Sequence, residues 1–167
     1  MGLALYRRYP IVKETIDRSA GILEPLLRLD LRKILYGEPQ EPGPSLQATA
    51  LAQPAIFCVS YSVASLLKSL GLNPSAMLGH SIGEFVAAAL AGVMRLEDAL
   101  AVVAARGKMM QDLPEGAMLA VMLGEPELKT CLPSDLSLAA VPQAICKLRL
   151  VLQCRCGRER PHHRLRL

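Results

Sequence analysis

The chain has 167 residues, 51% of them apolar, no tryptophan and a net charge of +4. That length and composition are enough for one domain with a buried core, and they exclude a disordered polymer. The charge does not make a nucleic-acid binder. Between Pro142 and Leu167 seven cations face Glu159 alone, a net of +6 that leaves −2 for the rest, and no aromatic side chains interleave with the arginines.

Residues 3–29 carry apolar side chains at helical spacing, with Ile11, Ile16, Ile22 and Leu26 set among charges. LRLDLRKILYG continues the pattern and stops at Gly37, after which EPQEPGPS reads as a loop. The next helix is expected to start near Gln53, with Pro54 in its first turn, Ile56, Val63, Leu67 and Leu70 on one face, and Gly71 as its stop. The uncharged run 42–67 is broken by Gln47, Thr49, Gln53 and Pro54, and reads as loop plus buried helix, not as a membrane span. GLNPS then turns into a short strand, AMLG (76–79). A small-residue helix follows Ser81, RLEDALAVVAARGKMMQDLP forms an amphipathic helix ended by Pro114, and GAMLAVML and LSLAAV are strands. Alternating strands and helices predict an α/β fold, a mostly parallel sheet with helices on both faces.

At Val141 the character changes. PQAICKLRLVLQCRCGRERPHHRLRL has neither period and is dense in arginine and cysteine, the text of a basic tail or of a shifted reading frame. With no signal peptide at the start, the five cysteines are expected to be reduced thiols in a cytoplasm. Cys146, Cys154 and Cys156 with His162 and His163 could hold zinc in an interaction module, but their spacing matches no defined finger.

The chemistry sits in Gly79-His80-Ser81-Ile82-Gly83, which fits the nucleophile elbow G-x-S-x-G between a strand and a helix. Such a turn raises a serine oxygen at a helix N-terminus, where the Ile82 N–H and the helix dipole face an oxyanion. His80 adjoins the serine along the chain, so on a turn its ring faces away. It orients the elbow or lines the pocket, and is a poor base for Ser81.

With Glu84 the motif becomes GHSxGE, and it resembles that of acyltransferase domains: malonyl-CoA:acyl-carrier-protein transacylases and the acyltransferase domains of modular polyketide synthases. The likeness runs from Met1 to about Val141. TALAQPAIF (49–57) is similar to the segment ahead of the family's first long helix, LEDALAVVAARGKMMQ to the helix bearing its substrate-binding arginine, here Arg106, and LRKILYGEP to the polyketide branch. The resemblance implies a hydrolase-like large subdomain over 1–115, the start of a ferredoxin-like subdomain over 116–141, and a disordered tail over 142–167. It implies transfer of a malonyl-type group from coenzyme A to the phosphopantetheine thiol of an acyl carrier protein, through an acyl-Ser81 intermediate and with no bound cofactor or metal. Other polyketide synthase domains would be partners; nucleic acid and membrane would not. Ile82, branched and apolar, is as in members that prefer malonyl.

The same resemblance marks what is missing. The family's GQGxQ motif supplies a second oxyanion donor, a group worth about 10²–10³ in rate, and Met1 lies just downstream of its expected place. The general base belongs to a histidine well beyond the serine, and after LSLAAV the similarity stops. The chain by itself is therefore expected to be incomplete and inactive. A thioesterase or esterase of the α/β-hydrolase type also uses GHSxG, but needs a later acid and histidine that are not evident here.

Overall fold

Amphipathic periodicity in the first hundred residues becomes a helical assembly. The computed structural model describes residues 1–37, 45–114, 117–121, 123–133, 136–140 and 150–154. These fall into two compact units, Met1–Asp112 and Leu113–Leu167.

In the first unit α1 (Leu3–Arg8) and α2 (Pro10–Leu27) are separated by Tyr9 in an extended conformation, with Pro10 opening α2 where its missing N–H costs nothing. The buried stripe of α2 is Val12, Ile16, Ser19, Ala20 and Leu23. Asp30 caps α3 (Leu31–Tyr36) by accepting from Arg32 N at 2.9 Å. Arg32 also forks onto the Asp30 carboxylate and reaches Asp17 on α2 at 3.1 Å, while Tyr6 Oη on α1 donates to Asp17 at 2.8 Å. One carboxylate thus joins the first three helices.

The centre of the unit is α4 (Thr49–Ser69), packed against α2, α5 (Ile82–Leu90) and α6 (Leu96–Gln111). Leu23, Leu31, Ala55, Phe57, Cys58, Ile82, Val86, Leu100 and Val103 form its core. By length and hydropathy α4 could cross a bilayer, but Leu51, Ala55, Phe57, Cys58 and Leu66 are buried among the other helices.

Three expectations are corrected here. Helix α4 begins at Thr49, four residues before Gln53, so TALAQPAIF is its opening turns and not a segment ahead of it. Pro54 lies inside the helix, leaving the Ala50 carbonyl without its usual donor. The face carrying Ile56, Leu67 and Leu70 is exposed by 43%, 43% and 66%, because α4 is apolar nearly all round and periodicity alone cannot choose its inner side. Residues 76–79, expected as a strand, begin in a bend at Ala76 and pair with no strand among the described residues, and Leu78 is 97% exposed.

The second unit contains β1 (Ala117–Val121), α7 (Glu125–Cys131), β2 (Leu136–Ala140) and β3 (Leu150–Cys154). The sheet order is β1-β3-β2 with β3 antiparallel to both neighbours, a split β-α-β arrangement. Val121 and Leu128 are buried with Leu123, Leu132, Leu136 and Leu138 around them. Five residues of the tail expected to be disordered, LVLQC, thus make the middle strand. The predicted loop 38–44 and the tail residues 155–167 lie outside the described residues.

Burial pushes the Asp17 carboxyl up, but hydrogen bonds from Lys13, Tyr6 and Arg32 outweigh it and leave the group below its ordinary range. A lowered folded value stabilises the protein above the unfolded value near pH ~4, and that contribution is lost as pH falls through the folded one. Asp17→Asn should therefore cost about 1 kcal/mol at neutral pH, reduced from a buried pair's worth by solvent screening. Urea unfolding at pH 7 and pH 3 should show the gap between variant and parent closing in acid; a gap independent of pH would contradict this account.

Candidate active site

Residues 76–79 enter α5 through a turn shaped by Gly79 and Ser81. Ser81 sits at φ 53°, ψ −116°, outside the regions where side chains are comfortable, a cost of about 1–3 kcal/mol. The turn is closed by Gly83 N donating to His80 O at 3.0 Å and Glu84 N donating to Ser81 O at 3.1 Å. Gly79 lies so close to the helix start that a Cβ there would meet Gly83 C at 2.2 Å and Glu84 N at 2.3 Å. No side chain fits, so glycine at this position is a steric requirement of the elbow.

Ser81 is exposed, its hydroxyl does not cap the helix, and its Oγ has no hydrogen-bond partner among the described residues. Ile82 points the other way: its side chain is buried in the core, while its N–H, the first of α5, meets no acceptor among the described residues. An unpaired N–H beside a free serine oxygen at a helix start is the arrangement an oxyanion requires. His80 is exposed, and its ring bonds nothing among the described residues. Cys58 is no rival nucleophile, since burial pushes its thiol up to about 12.

Arg106 is on α6, in the same unit and on a helix that shares its core with α4 and α5. It is half-buried, and its Nη1 donates to Gln53 Oε1 on α4. The two helices approach closely because the next residue is Gly107, where a Cβ would come within 3.2 Å of Ala50 Cα and Thr49 O. Ala50 N in turn donates to Gln111 Oε1 at 3.5 Å. The structure thus gathers His80, Ser81 and Ile82 into one turn, and ties Arg106 to Gln53; no hydrogen bond joins Arg106 to the elbow.

Gln53 is the residue that sequence reasoning missed. Its signal was there: an amide side chain inside an otherwise apolar helix must find a partner. Of the zinc reading, Cys154 lies in β3, while Cys146, Cys156, His162 and His163 fall outside the described residues.

Residues 1–145 match the acyl transferase domain family. The mycoketide-CoA synthase of Mycobacterium tuberculosis is 42% identical over 142 residues, 84% of this chain and 3% of that protein. The solved acyl transferase domain of SpnD, in complex with 2-(pent-4-yn-1-yl)malonyl, superposes with a TM-score of 0.78 at 36% identity, over 92% of this chain and 35% of that one. The malonyl CoA-acyl carrier protein transacylase of Clostridium perfringens gives 0.74 at 26% identity, over 92% and 48%. The chain therefore spans a small part of the curated synthase, and half or less of the solved chains it superposes on. These neighbours share an α/β fold, of which the helical elements are the larger part described here.

Gly79→Ala should destabilise the first unit by about 3 kcal/mol or more, because the new methyl meets backbone and not a movable side chain. Chemical unfolding followed by circular dichroism measures this; a loss below about 1 kcal/mol would mean that the elbow is more open than described.

Proposed function

The chain belongs to the acyl transferase domain family, and on that premise we propose that it moves a malonyl-type acyl group from coenzyme A to the phosphopantetheine thiol of an acyl carrier protein, in the cytoplasm and as part of a polyketide synthase. The observation that carries this reading is the Ser81 elbow: a left-handed φ of 53°, with Gly79 packed against Gly83 and Glu84. Family membership favours it over a thioesterase or esterase.

Ser81 Oγ attacks the thioester carbonyl, and the negative charge that develops on its oxygen is met by the Ile82 N–H and the α5 dipole. The C–S bond breaks, coenzyme A leaves as the thiol with the serine proton, and an acyl-serine ester remains. The carrier thiol attacks that ester, forms the new thioester and returns the proton to Ser81. Arg106 holds the free malonyl carboxylate through a charge-assisted fork. His80 lines the elbow without taking the proton.

His80 is the one histidine among the described residues and its ring bonds nothing there, so these residues by themselves are proposed to leave Ser81 unacylated. Ala76–Gly79 is proposed to pair within the family's parallel sheet, and the β1-α7-β2-β3 unit to open its ferredoxin-like subdomain.

Intact-mass and peptide-mass analysis after incubation with malonyl-CoA tests the scheme. The parent chain should carry no stoichiometric adduct. Ser81→Cys should acquire a malonyl adduct at position 81, since a thiolate at a helix N-terminus needs no separate base. A stoichiometric adduct on the parent that disappears in Ser81→Ala would mean that this chain holds its own base. Failure of Ser81→Cys to be modified at position 81 would reject the elbow as a nucleophile site.

A further inference from the structure

Two arginines among the described residues are half-buried, and they are held in opposite ways. Arg32 is saturated by the carboxylates of Asp17 and Asp30. Arg106 has no carboxylate partner among the described residues, and its one hydrogen bond is to the neutral amide of Gln53. The other described arginines, with or without a partner, are exposed. A half-buried guanidinium with its charge left open is costly unless something anionic visits it.

Gln53 is built to hold this cation without cancelling it. Its side chain is 7% exposed. Its Oε1 faces Arg106 Nη1, and its Nε2 donates to Met110 Sδ at 3.2 Å, so both ends of the amide are engaged and its orientation is set. The backbone contact at Gly107 fixes the approach of the two helices that carry the pair. With Nη1 tied, the Nε–Nη2 edge remains as the fork that can meet two carboxylate oxygens side-on.

We infer that Gln53 is a positioning residue: its buried amide orients Arg106 while leaving the full positive charge for the free carboxylate of the malonyl-type group. The inference rests on the acyl-transfer reading above and adds a specificity device to it. Glutamine suits this role where glutamate does not, because a carboxylate at position 53 would make the same hydrogen bond and neutralise the guanidinium. It also predicts that discrimination between a carboxylated and a plain acyl group depends on a residue that touches neither.

The test is a competition in the Ser81→Cys background of the full chain, with malonyl-CoA and acetyl-CoA in one reaction and the two adducts at position 81 counted by mass. The ratio is unaffected by the fraction of chain that is folded, so a merely structural role for Gln53 would leave it unchanged. Arg106→Ala should lower the malonyl-to-acetyl ratio by about 100-fold, the scale of a charged anchor. Gln53→Met, close in size but unable to accept, should lower it by about tenfold, and Gln53→Glu by as much as Arg106→Ala. Adding Gln53→Met to Arg106→Ala should change nothing further, since the two act through one contact. If Gln53→Met unfolds the chain, Gln53→Glu, which keeps the hydrogen bond, decides the matter. A ratio that falls in Arg106→Ala and stays at the parental value in both Gln53 variants overturns the inference and leaves the acyl-transfer reading standing. A ratio that Arg106→Ala does not move, or absence of any adduct at position 81, overturns both.

Discussion

The contact between α4 and α6 is the constraint from which the rest of the first unit follows. Pro54 removes the donor that would have satisfied the Ala50 carbonyl, and Gly107 places bare backbone against that same turn, with an imagined Cβ only 3.3 Å from Ala50 O. Helices with ordinary side chains at the crossing stay 8–10 Å apart; here glycine removes the Cβ that would press on the α4 backbone. Arg106 and Gln53 flank this crossing, so the position of the guanidinium is a consequence of backbone packing before any polar contact is counted. Further along α6, Leu96, Ala99, Leu100, Val103 and Ala104 extend the same interface into the core that also holds Ile82 and Val86 of α5. A shift of α6 would move the arginine and the floor beneath the elbow together.

The elbow and the arginine helix were legible in the sequence for different reasons. Gly79 is demanded by a turn with no room for a Cβ, Ser81 takes the one positive φ there, and the motif marks both positions. LEDALAVVAARGKMMQ has charges at its start and a clean apolar stripe, and α6 covers those sixteen residues. Helix α4 defeated the same method. Its apolar residues surround it, so a stripe through Ile56, Val63 and Leu67 looked as good as the true one through Leu51, Ala55, Cys58, Ser62 and Leu66. Which side is inner depends on where α2 and α6 lie, and no local period encodes that. Pro54 misled in a related way: proline marks a helix start by preference, but the α4–α6 crossing accommodates it one turn further in.

The outer face of α4 leads to an open apolar groove of about 600 Å³, lined in part by Leu67, Leu72, Met77 and Leu90. Beside it Leu78 stands in the open, in a segment whose composition reads as a buried strand. The elbow is thus anchored from one side. What holds Ser81 in its strained conformation can be weighed: the strain is about 1–3 kcal/mol, and burying an isoleucine or valine contributes about 1.5–3 kcal/mol each. Ile82 and Val86 are buried to within 5% and 7% of full coverage. Their anchoring of α5 exceeds the strain even though 76–79 pairs with no strand among the described residues, and Gly79 fits closely against Gly83 and Glu84. The geometry of the nucleophile is therefore carried by the helix that follows it, and the serine is in position although 76–79 pairs with no strand among the described residues.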